Sequence, residues 1–298
     1  MSRLSDILIT ASAPAIWGST YIVTSQMLPA GYPFTAAMLR ALPAGLLLMA
    51  MTRQLPLPSW LGRLLVLGAL NFTIFWGTLF VAAYRLPGGV AATLGAVQPL
   101  FVLLLARMVL QTPLTARHLL AAVAGIGGVA LLVLGPSAKL DMVGVLAALI
   151  GAVSMACGVV LTRKWQPPVS ALTFTAWQLT AGGLLLLPMA AFYELPLPAL
   201  DAMNVAGFVW LGLVGSALTY FFWFRGIERL GPEIVTNFGF LSPLTAVLLG
   251  WLVVGEELSP LQMLGALIVL GCVWLGSLST RRAHAVKQTL PATERPGI

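Results

Sequence analysis

The sequence predicts an all-α integral membrane protein, with ten transmembrane helices in two inverted five-helix repeats around a central cavity. Three observations predict it. Of 298 residues, 59% are hydrophobic and 8% charged, a balance that no water-soluble domain of this size needs. Apolar runs of about twenty residues, the length that crosses a bilayer, recur ten times with short loops between them. Residues 231–255, GPEIVTNFGFLSPLTAVLLGWLVVG, have a counterpart 144 positions earlier, PGGVAATLGAVQPLFVLLLARMVLQ.

The spans are read at roughly 6–27, 33–51, 61–84, 88–110, 116–135, 142–163, 169–191, 203–225, 232–254 and 260–278. Residues 1–137 make the first repeat and 138–280 the second, followed by a basic polar tail, 281–298, expected to be disordered. Five is odd, so the second repeat enters the membrane from the opposite side. Inverted repeats allow two alternative closures around one midplane site, which is alternating access.

The net charge of +7 does not point to nucleic acid, because its placement follows the membrane. Thirteen Lys and Arg fall on one side of the ten spans; only Arg85 and Lys139 fall on the other, and Arg40 lies inside a helix. That asymmetry places both termini of a multi-pass membrane protein in the cytoplasm. The first span, with Arg3 before it and Ser12-Ala13-Pro14-Ala15 inside, could pass for a signal peptide. Its apolar run continues to Met27, so it is read as a retained helix. Cys157 and Cys272 have no disulfide or metal spacing and read as small buried residues.

Taken in order, the first span carries Trp17 and Tyr21 four residues apart, on one face, with Asp6 at its cytoplasmic edge. The second starts at Pro33 and holds Arg40. At an offset of 138 residues it aligns with the seventh span, where Gln178 stands opposite Arg40 and follows Trp177. The third span has Asn71, then Phe72, Trp76 and Phe80 at successive turns; its partner is the eighth, with Tyr220, Trp223 and Phe224. Aromatics so spaced serve packing more often than binding, whereas an amide in lipid must find a partner. The fourth and ninth spans carry Pro99 and Pro243 at mid-helix, four residues after Gly95 and Gly239. A proline there leaves the carbonyl four residues back without its donor, so the expectation is two bare glycine carbonyls at mid-depth, facing protein or a wet cavity. The fifth and tenth spans hold almost nothing polar and suit the lipid-facing periphery or a subunit contact.

Arg40 is the fixed charge nearest the bilayer centre, and two readings stay open. It is a counter-charge for a substrate carboxylate, or it pairs with helix carbonyls and locks the halves together. No acid lies in a helix core, which argues against proton-coupled export of organic cations. Enzyme chemistry is not expected: no phosphate-cradling Gly-rich loop, zinc-binding His-Glu-x-x-His or nucleophile elbow is present. No cofactor, metal or nucleotide is called for.

Val97-Gln98-Pro99-Leu100 and Leu241-Ser242-Pro243-Leu244, with Gly255-Glu256-Glu257-Leu258 and the later Gly265 and Gly271, resemble the ten-helix EamA-type members of the drug/metabolite transporter superfamily. The first copy departs, since Gln111-Thr112-Pro113-Leu114 lacks the glutamates. The resemblance covers residues 6–278 and is closest to the branch that exports aromatic amino acids. It implies a basket of helices around a cavity, with spans five and ten outside.

The expected function is export of amino acids, aromatic or hydrophobic and extending to small neutral ones, by a monomer or weak homodimer in the lipid bilayer. Trp17, Tyr21, Trp76, Trp177, Tyr220 and Trp223 would offer apolar and cation–π contact. Arg40, Asn71, Gln98, Gln178, Asn237 and Ser242 would supply polar contacts, and Gly95, Pro99, Gly239 and Pro243 the flexing points. The alternatives are an exporter of cationic drugs or toxins and a membrane scaffold without flux.

Overall fold

The computed structural model describes residues 3–29, 31–85, 94–133, 141–196, 199–254 and 259–278. The tail at 281–298, Glu256 and Glu257, and residues 86–93 of the fourth apolar run lie outside them. Every regular element among the described residues is helical. The first apolar run is α1 (Arg3–Trp17) and α2 (Ser19–Met27), the second α3 (Pro33–Thr52). The third is α4 (Leu61–Gly68), a π-helical turn (Ala69–Ile74) and α5 (Phe75–Arg85). Then come α6 (Gln98–Val109), α7 (Ala116–Val133), α8 (Met142–Lys164) and α9 (Ala171–Tyr193). The eighth run is α10 (Ala202–Val209), a second π turn (Trp210–Leu218) and α11 (Thr219–Leu230). The chain closes with α12 (Pro232–Phe238), α13 (Leu241–Leu249), a third π turn (Gly250–Val254) and α14 (Pro260–Leu278).

By length and composition seven of these runs can cross a membrane; Gln98–Val109, Ala116–Leu131 and Pro260–Leu275 are shorter apolar helices. Large apolar side chains cover the outside, among them Phe192 (86% exposed), Met108, Leu252 and Leu267. A contiguous apolar exterior of this kind has lipid as its solvent.

The helices pack as partners: α3 with α9, α7 with α14, α5 with α8, and α1 with α11. Glycine sets the closest approach. A Cβ on Gly45 would stand 2.6 Å from Thr180 Oγ1, and one on Gly183 would stand 2.7 Å from the Leu42 backbone. Gly68 meets the Gly182 nitrogen in the same way, at 2.6 Å.

Polar groups gather at the two ends. At one, the buried Asp6 accepts from Arg225 at 2.6 Å and from Arg229 at 3.4 Å, tying α1 to α11. Arg63 lies over Trp60 and Trp165, and Arg163 donates to the Glu228 carbonyl. At the other end Asn204 donates to the Met27 carbonyl at 2.9 Å and Arg85 faces Asp141 at 3.6 Å. There Glu194, just past α9, accepts from the Phe34 and Thr35 N–H groups at 2.7 and 2.6 Å. It thus caps a helix start whose N–H groups have no intrahelical partner and carry the positive end of the dipole. Removing one partner of a buried ion pair leaves the other charge stranded in low dielectric. Asp6→Ala is therefore expected to cost about 3 kcal/mol, read as a lowered melting temperature in detergent.

Two sequence expectations change. The ninth run is broken into α12 and α13 rather than kinked, and the Gly239 carbonyl is not bare: Ser242 N–H donates to it at 3.1 Å. Pro243 cannot donate, so the chain tightens and the N–H one residue earlier takes the acceptor. Pro99 likewise sits in the first turn of α6, where a missing N–H costs nothing. The eighth run, read as ending at 225, continues as helix to Leu230 and stops at Gly231, whose φ of 90° favours glycine.

Candidate substrate site

The third and eighth runs bring their aromatic faces together in the middle of the bundle. Tyr220 is the hub. Its ring centroid lies 4.9 Å from Trp17, 4.8 Å from Phe72, 5.9 Å from Trp76 and 5.7 Å from Phe224. Trp17 also meets Trp223 at 5.0 Å and donates its indole N–H to Thr219 at 2.8 Å. Tilted and edge-on ring pairs at these separations are the favoured aromatic geometry. Phe72, Trp76, Tyr220, Trp223 and Phe224 are buried, so the rings close the middle of the bundle where the sequence predicts a cavity. Among the described residues the indole N–H of Trp223 has no acceptor.

Arg40 borders this nest, its guanidinium 4.8 Å over the Trp76 ring. Nη2 donates to the Gly215 carbonyl at 2.9 Å and Nε to Ser216 Oγ at 3.0 Å, both in the second π turn. On the far side of Phe72 is a neutral polar cluster. Asn71 Nδ2 donates to Gln178 Oε1 at 2.9 Å and to Thr162 Oγ1 at 3.2 Å, and Thr162 donates to Gln178 at 3.3 Å. Asn71 Oδ1 and Gln178 Nε2 are buried without partners among the described residues. Either orientation of the two amides leaves one acceptor and one donor over.

The remaining sequence-predicted residues lie apart from the nest. Trp177 packs with Trp60, Leu64 and Phe174 at the arginine-rich end and donates to the Gln54 carbonyl at 2.7 Å. It lines a cleft of about 710 Å³ with Gln54, Leu57, Val169 and Ser170. Asn237 donates to the Glu233 carbonyl within α12. Ser242 and Pro243 follow the break in the ninth run, in the first turn of α13, where the Ser242 carbonyl would lie 2.6 Å from a Cβ on Gly18. Gln98 and Pro99 open α6, with the half-buried Gln98 beside the buried Pro99. Gly95, exposed, is helical and precedes the turn at residues 96 and 97 that leads into α6. Tyr21 belongs to α2, but its side chain lies outside those described.

Sequence reasoning missed Thr162 and undervalued Phe72 and Phe224. Thr162 sits in the last turn of α8 beside Arg163 and Lys164, where a threonine carries no signal. The i, i+4 spacing did mark both phenylalanines, but packing was the more frequent use of such a face.

The EamA-like transporter family matches residues 4–134 and 142–278. The chain belongs to that family. EamA-like transporters stand in the drug/metabolite transporter superfamily and are transporters, not enzymes. Protein PecM of Dickeya dadantii is 48% identical over 260 residues, covering 86% of this chain and 87% of PecM. The uncharacterised inner membrane transporter YedA of Escherichia coli is 30% identical over 272 residues, covering 88% and 87%. A solved crystal structure aligns with 94% of this chain and 100% of its own at a TM-score of 0.79 and 21% identity, which shows a common fold.

Proposed function

We propose that this EamA-like protein exports amino acids, aromatic or hydrophobic ones first, by alternating access across the bacterial inner membrane. The observation that carries the reading is the occluded nest of Trp17, Phe72, Trp76, Tyr220 and Trp223 at mid-bundle. Rings there suit an apolar side chain and, through cation–π contact, an ammonium group. The Trp223 N–H, without an acceptor among the described residues, and the Asn71–Gln178 cluster are available to the polar end of a zwitterion.

Ten spans in two inverted repeats are part of the proposal, and the packing supports them. Relating the first half to the second pairs span 2 with 7, 5 with 10, 1 with 6 and 3 with 8. Under that relation the α5–α8 contact maps onto the α11–α1 contact. Gly45 against Thr180 maps onto Gly183 against Leu42. The two family matches, one per half, fit the same division. The arginine-rich end, with Arg63, Arg163, Arg225 and Arg229, is then cytoplasmic by the charge rule.

The test is efflux from proteoliposomes loaded with labelled phenylalanine, threonine or an organic dication, with and without a pH gradient. Saturable release of phenylalanine is expected. Release of the dication alone would favour the cationic-drug reading, which the guanidinium over Trp76 opposes, and release of none would leave the scaffold reading.

A further inference from the structure

Two π-helical turns interrupt the third and eighth runs at matching places, Ala69–Ile74 and Trp210–Leu218. Gly215 stands 144 positions after Asn71, the offset of the repeated prolines. Both turns close with the same tight bond, Phe75 N–H to the Phe72 carbonyl and Thr219 N–H to the Ser216 carbonyl. Each is also gripped from a central helix by residues that align at an offset of 138. Arg40 of α3 holds Gly215 and Ser216, and Gln178 of α9 holds Asn71. The two grips differ in kind: Arg40 donates to a backbone carbonyl and a hydroxyl of its turn, whereas Gln178 accepts from the Asn71 side chain while the Leu70 carbonyl of that turn accepts from Ser154 at 2.9 Å. Where the turn offers a glycine carbonyl and a serine hydroxyl, the long arginine reaches both; where the turn offers an asparagine amide, the shorter glutamine suffices.

A π turn carries one residue more than the regular ladder accommodates, so backbone groups there need outside partners, and such turns concentrate at functional sites. In an apolar bundle those partners must be side chains. We infer that Arg40 and Gln178 are a matched pair of positioning residues, each holding the π turn of the facing helix in register, and that these two turns are hinges of the transport cycle. Arg40 is then tied to the second π turn and to Trp76 rather than kept as a counter-charge for substrate. Bending at a turn frees one grip at a time, so the two halves of the third and eighth runs can change angle without unwinding a whole helix.

Hydrogen exchange of the protein in lipid nanodiscs tests the grip without any substrate, because exchange reads local opening segment by segment. Arg40→Leu is expected to accelerate exchange within 210–218 about tenfold and leave 69–74 unchanged. Gln178→Leu is expected to do the reverse. Should the leucine variants fail to fold, Arg40→Gln decides, with a smaller acceleration confined to 210–218; none, or one spread over both turns, overturns the inference. Flux gives a second readout, which rests on the amino-acid reading. In Arg40→Leu turnover of phenylalanine falls about tenfold while its KM stays within about twofold. A KM about tenfold higher for phenylalanine but unchanged for phenylalaninamide, which lacks the carboxylate, would restore the counter-charge role and sink this one. If the wild-type protein moves no amino acid, the function proposal fails and the exchange data still decide the hinge.

Discussion

Tyr220→Ala is expected to raise the KM for phenylalanine efflux about tenfold or abolish flux, whereas Trp177→Ala, a larger deletion, leaves KM within about twofold. Tyr220 touches four other rings of the nest, and all of its contacts lie at mid-bundle. Trp177 is as buried, but its partners are Trp60, Phe174 and the Gln54 carbonyl at the end of the bundle. Truncating a buried aromatic to alanine costs about 3–5 kcal/mol, so both proteins lose stability and only one is expected to lose affinity. Tyr220→Phe keeps the ring and is expected to hold KM within about threefold. Proteoliposome efflux with a melting curve for each variant checks this. Equal KM changes in the two alanine variants would remove the nest from substrate binding.

The second large effect is on the helix pair at the centre. Gly183→Ala places a methyl group 2.7 Å from the Leu42 backbone, and backbone cannot step aside as a side-chain tip can. Overpacking of this kind costs about 1–3 kcal/mol, against the several tenths that alanine gains over glycine within a helix. The α3–α9 pair is expected to part, lowering the melting temperature and, because Arg40 and Gln178 project from these two helices, slowing flux. Gly127→Ala is the control: nothing lies within 4 Å of its added methyl, so the helix preference alone remains and the protein should be unchanged or slightly more stable. If both variants melt like the wild type, the close approach does not limit packing.

Much of the molecule was legible before any coordinates because the bilayer imposes a local rule. An apolar run of about twenty residues marks a span whatever its neighbours are, and so the runs containing Arg40, Asn71, Gln178 and Tyr220 are all helical. The offsets of 144 and 138 are likewise properties of the chain. They placed Arg40 opposite Gln178 and Trp76 opposite Tyr220. That Asn71 needed a partner followed from its amide alone, since an unpaired polar group in hydrocarbon is costly.

What tertiary structure decided is everything that depends on helix rotation and on how one ladder yields to another. Trp177 and Gln178 are adjacent, so they point about 100° apart around α9: Gln178 reaches Asn71 and Trp177 reaches Gln54. Pro99 and Pro243 looked like kinks, but ended as first-turn prolines after a break, with the Gly239 carbonyl bonded to Ser242. The π turns at 69–74 and 210–218 have no proline or charge to announce them. Their register follows from the fit between helices that glycines such as Gly68 and Gly182 bring together. Composition and spacing by themselves determined that this chain is a multi-pass membrane protein. Only the packing decided which side chains meet, because a span's length is a local quantity and the face it presents is settled by all of its neighbours at once.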